Sequence, residues 1–179
     1  MDIAAGHRRV YGITEPDRRL RCWGGGNRGG HEVDLSDVVG AAMGELHTCV
    51  LDGKGSVLCW GNNDRGQLGD GSRTYRAQPT PVDLPTVLAI EARPDSTCAL
   101  LESGTVSCWG ANTVPGDTRR LRPSIVLELD DVEQLLGPGR AQRTDGSIVE
   151  WKPVDHLPAD FTGPNLVAGK SSGYTVGPA

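Results

Sequence analysis

Cysteines at a fixed spacing are the residues of this sequence best suited to covalent chemistry. Cys49 and Cys59 are ten residues apart, and so are Cys98 and Cys108. Each pair brackets a hairpin signal, Gly53-Lys54-Gly55 in one case and Glu102-Ser103-Gly104 in the other. Each loop ends in a Gly, which supplies the left-handed residue that three-residue hairpin loops require. Pairing across those loops sets Asp52 opposite Ser56, Cys49 opposite Cys59 and Cys98 opposite Cys108. Opposed Cα atoms on antiparallel strands lie about 4.5–5.5 Å apart, within reach of a disulfide. The expected chemistry is oxidation to two cross-strand disulfides, each contributing roughly 2–3 kcal/mol through chain entropy. The plainer alternative is two pairs of small buried thiols. Cys22 has Gly12 ten residues back and Tyr11 eleven back, so it reads as a lone thiol.

Other chemistry finds less support. A zinc centre needs clustered ligands, and here the Cys residues form no Cys-x-x-Cys pair and the four His are scattered, so no metal and no cofactor is expected. A cysteine nucleophile needs a positioned base. His47 shares a strand face with Cys49, but the expectation is that it lines the inner strands and hydrogen-bonds a turn. The Arg8-Arg9, Arg18-Arg19-Arg21 and Arg119-Arg120 runs sit beside Glu15, Asp17 and Asp117, and read as solvated loop charge. Gly24-Gly25-Gly26 follows a strand without a helix after it, so it lacks the amide array of a phosphate-cradling loop.

The elements that must position the cysteines recur. Cys-Trp-Gly occurs at Cys22–Gly24, Cys59–Gly61 and Cys108–Gly110, with a degraded copy at Glu150-Trp151-Lys152. All four Trp residues occupy this one slot, about forty residues apart, a period that marks stacked supersecondary units. Trp23, Trp60, Trp109 and Trp151, with Leu68, are the expected packing anchors between units. The units are about 1–37, 38–86, 87–131 and 132–165, with a partial fifth over 166–179. Each is about four short strands in a meander. The inner strands are expected at Val38–Met43, Val87–Ala92 and Val132–Leu136, and the hairpins at Leu46–Leu51 with Ser56–Trp60 and Thr97–Leu101 with Thr105–Trp109. The worn hairpin is Ala141–Thr144 with Ser147–Trp151, and it sets Arg140 opposite Glu150 as an ion pair. Pro79 and Pro81 introduce an outer strand at Val82–Leu84, and Pro123 one at Ile125–Leu129. The first unit is expected to hold strands Val10–Ile13 and Leu20–Trp23, followed by a Gly-rich turn over Gly25–Gly30. Ala111–Asp117 is expected as a shortened turn. One such sheet cannot bury both faces alone, and units of this size stack radially in β-propellers. A parallel β-solenoid would need shorter repeats.

Composition bounds the rest. At 179 residues the chain is long enough for one domain with a sizeable core, built with only 4% aromatics. A net charge of −5 weighs against binding nucleic acid through its phosphates. No apolar run is long enough to span a bilayer, and Met1–His7 has neither the basic start nor the apolar segment of a signal peptide.

Ala41–Leu51, Gly55–Gly71 and Pro79–Val82 together resemble the regulator of chromosome condensation repeat family. The matching residues are Ala-Ala-x-Gly-x-x-His-Thr-Cys-x-Leu, Gly-x-Val-x-Cys-Trp-Gly-x-Asn-x-x-Gly-Gln-Leu-Gly-Asp-Gly and Pro-x-x-Val. The resemblance is strong over 38–86, clear over 87–131 and weak over 1–37 and 132–179. It implies an all-β fold of propeller-type repeats with four-stranded antiparallel blades. This chain holds about four, where the family normally uses seven, so an incomplete ring is expected. The Cys-bearing version resembles bacterial members, many of them exported, which implies an extracellular or periplasmic setting. Family activities include nucleotide exchange on a small GTPase, chromatin binding and inhibition of β-lactamases, and the fold alone does not choose among them.

The function expected is that of a protein–protein interaction module whose loop rim binds another protein. Nucleotide exchange on a small GTPase and inhibition of a secreted enzyme are the alternatives. Disulfides weigh against the intracellular exchange role. An enzyme on the same scaffold would need converging acids or a nucleophile–base pair at the rim, and the sequence offers none. Open blade faces leave room for self-association, and the chain is either a piece of a longer protein or completes itself with another copy.

Overall fold

The computed structural model describes residues 3–5, 9–24, 27–114, 117–126, 130–137 and 139–150. Among them every regular element is a strand, and these form four antiparallel sheets. The first sheet has β1 (Ile3–Ala5), β2 (Arg9–Thr14), β3 (Arg19–Gly24) and β4 (Asn27–Val33). The second has β5 (Val38–Met43), β6 (His47–Asp52), β7 (Val57–Gly61) and β8 (Arg76–Pro81). The third has β9 (Val87–Arg93), β10 (Ser96–Leu101), β11 (Val106–Val114) and β12 (Asp117–Ile125). The fourth has β13 (Val132–Gly137), β14 (Arg140–Arg143) and β15 (Ile148–Glu150). Each sheet is a meander in chain order.

Successive sheets pack face to face through their inner strands: β1 and β2 on β5, β5 and β6 on β9, β9 and β10 on β13. Among the described residues the fourth sheet does not pack on the first, so the ring is incomplete. A core cluster fills each seam. Tyr11, Ile13, Leu20 and Cys22 meet Val38, Val50 and Trp60 in the first. Leu51, Val57, Leu68 and the Cys49–Cys59 pair meet Val87, Ala99, Leu101 and Trp109 in the second. Leu100, Val106 and the Cys98–Cys108 pair meet Val126, Val132 and Ala141 in the third. Alternation along each hairpin accounts for this arrangement, since residues two apart share a face.

The hairpin register follows the turn glycines. Gly55, Gly104 and Gly146 take φ of +82°, +81° and +81°, and the pairs beyond them are Cys49 with Cys59, Cys98 with Cys108 and Arg140 with Glu150. Arg140 Nε lies 2.8 Å from Glu150 Oε1, the ion pair the spacing predicts.

Three strand expectations need correction. The outer strands are Arg76–Pro81 and Asp117–Ile125, where Val82–Leu84 and Ile125–Leu129 were expected; residues 127–129 lie outside the described residues. Val82 and Val126, the apolar residues that follow these strands, belong to the connectors. Val82 and Val126 turn into the core, their N–H groups donating to the Val57 and Val106 carbonyls at 3.0 and 2.8 Å. An edge strand with one packed side tolerates Arg, Gln, Pro and Thr. Of the turn expected over Gly25–Gly30, residues 27–30 belong instead to β4, which pairs as far as Val33, and residues 25–26 lie outside the described residues. Likewise β11 runs to Val114 and β12 begins at Asp117, where a shortened turn was expected over Ala111–Asp117. Ile3–Ala5 is a strand the sequence did not announce. Trp151 and the partial fifth unit over 166–179 lie outside the described residues.

Candidate interaction surface

The meander sends its loops to two rims, and the two are built differently. On one rim lie the β2–β3, β6–β7, β10–β11 and β14–β15 turns together with the connectors between sheets. This rim is stitched by backbone hydrogen bonds that repeat at every seam. Val38 N donates to Arg18 O at 3.0 Å, Val87 N to Gly55 O at 3.0 Å and Val132 N to Gly104 O at 2.9 Å. Gly53 N donates to Asp37 O at 2.8 Å, Glu102 N to Thr86 O at 2.9 Å and Thr144 N to Asp131 O at 2.9 Å. Each hairpin turn thus grips the connector of the neighbouring sheet. Turn backbone that would otherwise need water is satisfied within the protein, and the loop tips are held in fixed positions.

The same rim is rich in carboxylates: Glu15, Asp17, Asp34, Asp37, Asp52, Asp83, Glu102, Asp130, Asp131 and Asp145. Some are used locally. Asp52 Oδ1 accepts from Lys54 N and Ser56 N at 2.9 and 2.8 Å, and Asp145 Oδ1 from Ser147 N at 2.8 Å. Hydrogen bonds from Ser147 hold the Asp145 carboxyl below its ordinary pKa. Asp37 faces Arg18 at 3.7 Å and Asp131 faces Arg143 at 3.0 Å. Glu15, Asp17, Asp34, Asp83, Glu102 and Asp130 are exposed.

The opposite rim carries one long loop, residues 62–75, between β7 and β8. Its interior is polar and ordered. Asn63 Oδ1 accepts from Leu68 N at 3.0 Å, and Asn63 Nδ2 donates to Asp70 Oδ1 at 3.0 Å. Asp70 Oδ2 takes a two-pronged contact from Arg76, Nε at 2.8 Å and Nη2 at 2.7 Å. Burial alone would raise the Asp70 pKa, but hydrogen bonds from Ser72, Arg76 and Asn63 outweigh it and hold the carboxyl low. The loop reaches across the seam to the third sheet. Gln67 O accepts from Trp109 Nε1 at 2.9 Å and from Thr97 Oγ1 at 3.0 Å, and Gly71 N donates to Leu121 O at 2.8 Å. His47 lies behind this loop, its Nε2 2.9 Å from Thr97 Oγ1.

The cysteines and anchors fall as follows. Cys49–Cys59 and Cys98–Cys108 are disulfides, with S–S distances of 2.09 and 2.12 Å. Cys22 is a buried free thiol opposite Tyr11. Trp60, Trp109 and Leu68 are buried, Trp109 completely, and Trp60 meets Tyr11 edge to face at 6.1 Å. Trp23 is half-buried. Of the arginine runs, Arg18 meets Asp37, and Arg120 lies on β12. Among the described residues no group of three His, Cys, Asp or Glu is placed to hold a metal ion. Glu91 and Arg93, on the inner strand β9, are half-buried. Burial raises the Glu91 pKa to about 6 against the opposing pull of Arg93 and the Gly139 N–H. Sequence reasoning missed the rim stitching and the Gln67 carbonyl, which are main-chain features. Asn63 and Asp70 were visible as turn residues, not as the loop's internal braces.

Residues 38–67 and 54–100 match models of the Regulator of chromosome condensation (RCC1) repeat. Residues 38–100 thus carry regulator of chromosome condensation repeats. Over 45 residues it is 42% identical to the E3 ubiquitin-protein ligase HERC2 of Homo sapiens, a stretch that is 25% of this chain and 1% of the ligase. Human WBSCR16 superimposes with a TM-score of 0.75 at 20% identity, covering 85% of this chain and 46% of that one. Prp20p from Saccharomyces cerevisiae, described with its binding to Gsp1p and histones, gives 0.72 at 18% identity, covering 84% and 44%. These neighbours show the fold, and this chain spans less than half the length of each.

Proposed function

We propose that the chain is a protein–protein interaction module that binds a basic protein surface through its stitched, acidic rim. The observation that carries this reading is the repeated backbone stitching at all three seams, which presents exposed Asp83, Glu102 and Asp130 on fixed turns. Fixed loop tips lose little entropy on binding, and a rim whose carboxylates outnumber its cations steers and selects an opposite-sign partner. Two disulfides support an exported or cell-surface setting, since such bonds persist in oxidising compartments. The test is affinity capture with the intact chain, comparing it with Asp83→Asn/Glu102→Gln/Asp130→Asn. Basic partners held by the wild type and lost with the triple variant are expected, with salt weakening the capture. Capture indifferent to the triple variant overturns the reading.

A second reading, nucleotide exchange on a small GTPase, draws on the repeat family and on the Gsp1p binding described for the yeast neighbour. Inhibition of a secreted enzyme uses the same kind of surface recognition. Acceleration of nucleotide release by the purified chain would favour exchange over simple binding. No catalytic residue is assigned.

A further inference from the structure

His47 sits at the seam between the second and third sheets, and its hydrogen bonding fixes which nitrogen carries the proton. Thr97 Oγ1 has a single proton, which it gives to Gln67 O at 3.0 Å. It must therefore accept from His47, so Nε2 bears the hydrogen across the 2.9 Å contact. Nδ1 is left with a buried lone pair beside the Pro94 carbonyl, itself an acceptor, so no hydrogen bond forms there until the ring takes up a second proton. The Gln67 carbonyl that receives Thr97 also receives Trp109 Nε1 at 2.9 Å. One imidazole thus supports a chain of contacts running from β6 through β10 to the loop that covers Trp109.

The charged residues on the elements packed around it are Glu45 on its own turn, Asp52 at the far end of β6, Glu91 and Arg93 on β9, Asp95 on the turn after it, and Asp64, Arg65, Asp70 and Arg73 on the loop. None of them makes a hydrogen bond or ion pair with the ring. The nearest compensation for an added proton is the Pro94 carbonyl, which already accepts from Glu45 N at 3.2 Å.

We propose that His47 is an acid-sensitive latch: uptake of a solvent proton on Nδ1 buries an imidazolium in the seam with only the Pro94 carbonyl to receive the new hydrogen and no carboxylate against it, parts the second sheet from the third, and frees the 62–75 loop and Trp109. A buried, uncompensated charge is the physical cause. Burial, only partly offset by the Pro94 carbonyl, lowers the His47 pKa from 6.5 to about 4. Unfolded histidine titrates near 6.5, so between about pH 6.5 and 4 the unfolded chain binds more protons than the folded one. The latch is closed above that window and opens as pH falls through it.

The experiment compares the intact oxidised chain with His47→Gln, which can keep a donor to Thr97 but does not titrate. Urea unfolding is followed at pH 7 and pH 5. The wild-type folded-to-unfolded ratio is expected to fall about twentyfold more than that of the variant. Hydrogen exchange, corrected for its intrinsic pH dependence, should show the Leu68 and Gly71 amides losing protection before those of β2 and β3. Parallel pH profiles for the two proteins, or uniform loss of protection, overturn the proposal. Should His47→Gln fail to fold, NMR titration of the wild-type imidazole decides: a pKa at its ordinary value overturns the latch, and a strongly depressed one upholds it.

Discussion

The second and third sheets meet at a seam closed by a long loop, whereas no such loop lies among the described residues where the third and fourth meet. Both share a register and a rim stitching, so strand pairing and sheet order do not distinguish them. At the first of these seams the 62–75 loop lays Gln67 over a fully buried Trp109, and a disulfide backs the aliphatic cluster. At the second, β12 begins three residues after β11 ends, and the Cys98–Cys108 disulfide packs with Leu100, Val106, Val126, Val132 and Ala141. The far face of the fourth sheet extends the contrast. The positions held by Cys49:Cys59 and Leu51:Val57 in the second sheet are held there by Arg140:Glu150 and Gln142:Ile148. Ile148 is 48% exposed. Local turn chemistry therefore sets each blade, and inserted loops and side-chain identity set how firmly one blade holds the next.

The largest test of that contrast is Trp109→Ala. It should cost about 3–5 kcal/mol in urea unfolding, as truncation of buried aromatics does. It also strips Gln67 O of its indole donor, so the loop should lose protection in hydrogen exchange. Trp60→Ala belongs in the same range, since Trp60 fills the first seam against Tyr11. A loss under about 1 kcal/mol at Trp109 would place the seam's strength elsewhere.

Next come the cross-links. Replacing Cys98 and Cys108 together by Ala should cost roughly 2–3 kcal/mol, and the Cys49/Cys59 replacement a similar amount. Peptide mapping of exported material without reductant should find both bonds intact. Four free thiols there would remove the support for an oxidising compartment.

Two glycines separate the loop's packing from its backbone. Gly69 and Gly146 both have positive φ, +73° and +81°. A Cβ at Gly69 would lie 2.8 Å from Trp109 Nε1, whereas one at Gly146 meets nothing within 4 Å. Both Ala variants bear the backbone strain, about 1 kcal/mol. Gly69→Ala should be the more destabilising of the two in thermal unfolding, by the amount the indole must move to make room. Equal losses would mean that the loop yields freely and does not brace Trp109.

Much of this architecture is legible in the sequence because it is local. The hairpin register can be read from Gly55 and Gly104, whose positions fix the pairing of Cys49 with Cys59 and Cys98 with Cys108. Arg140 with Glu150 follows from the same count. The outer strands were misplaced because Val82 and Val126 carry the apolar signal while pointing into the core from connectors. The candidate surface was the least legible part. Rim stitching joins main-chain groups such as Glu102 N and Thr86 O, and any residue could supply them. His47 was placed on the correct strand, but its partner, Thr97, is 50 residues away on the next sheet.

The smallest effect belongs to the fourth sheet. Arg140 and Glu150 are directly opposed and 2.8 Å apart, yet about half of each side chain is in water. Solvent screens the pair, and two long side chains lose freedom to hold one geometry, so its net contribution is about 0.2–1 kcal/mol. Arg140→Ala should move the unfolding midpoint only slightly, and added salt should erase most of the difference. The same positions in the second and third sheets hold disulfides facing the next blade, so the comparison is between a covalent bond in a packed seam and an ion pair on a face that no sheet covers among the described residues. A loss above about 2 kcal/mol on Arg140→Ala would mean that something covers this face in solution. The fourth sheet would then be a packed seam like the other two and not the open end of the arc.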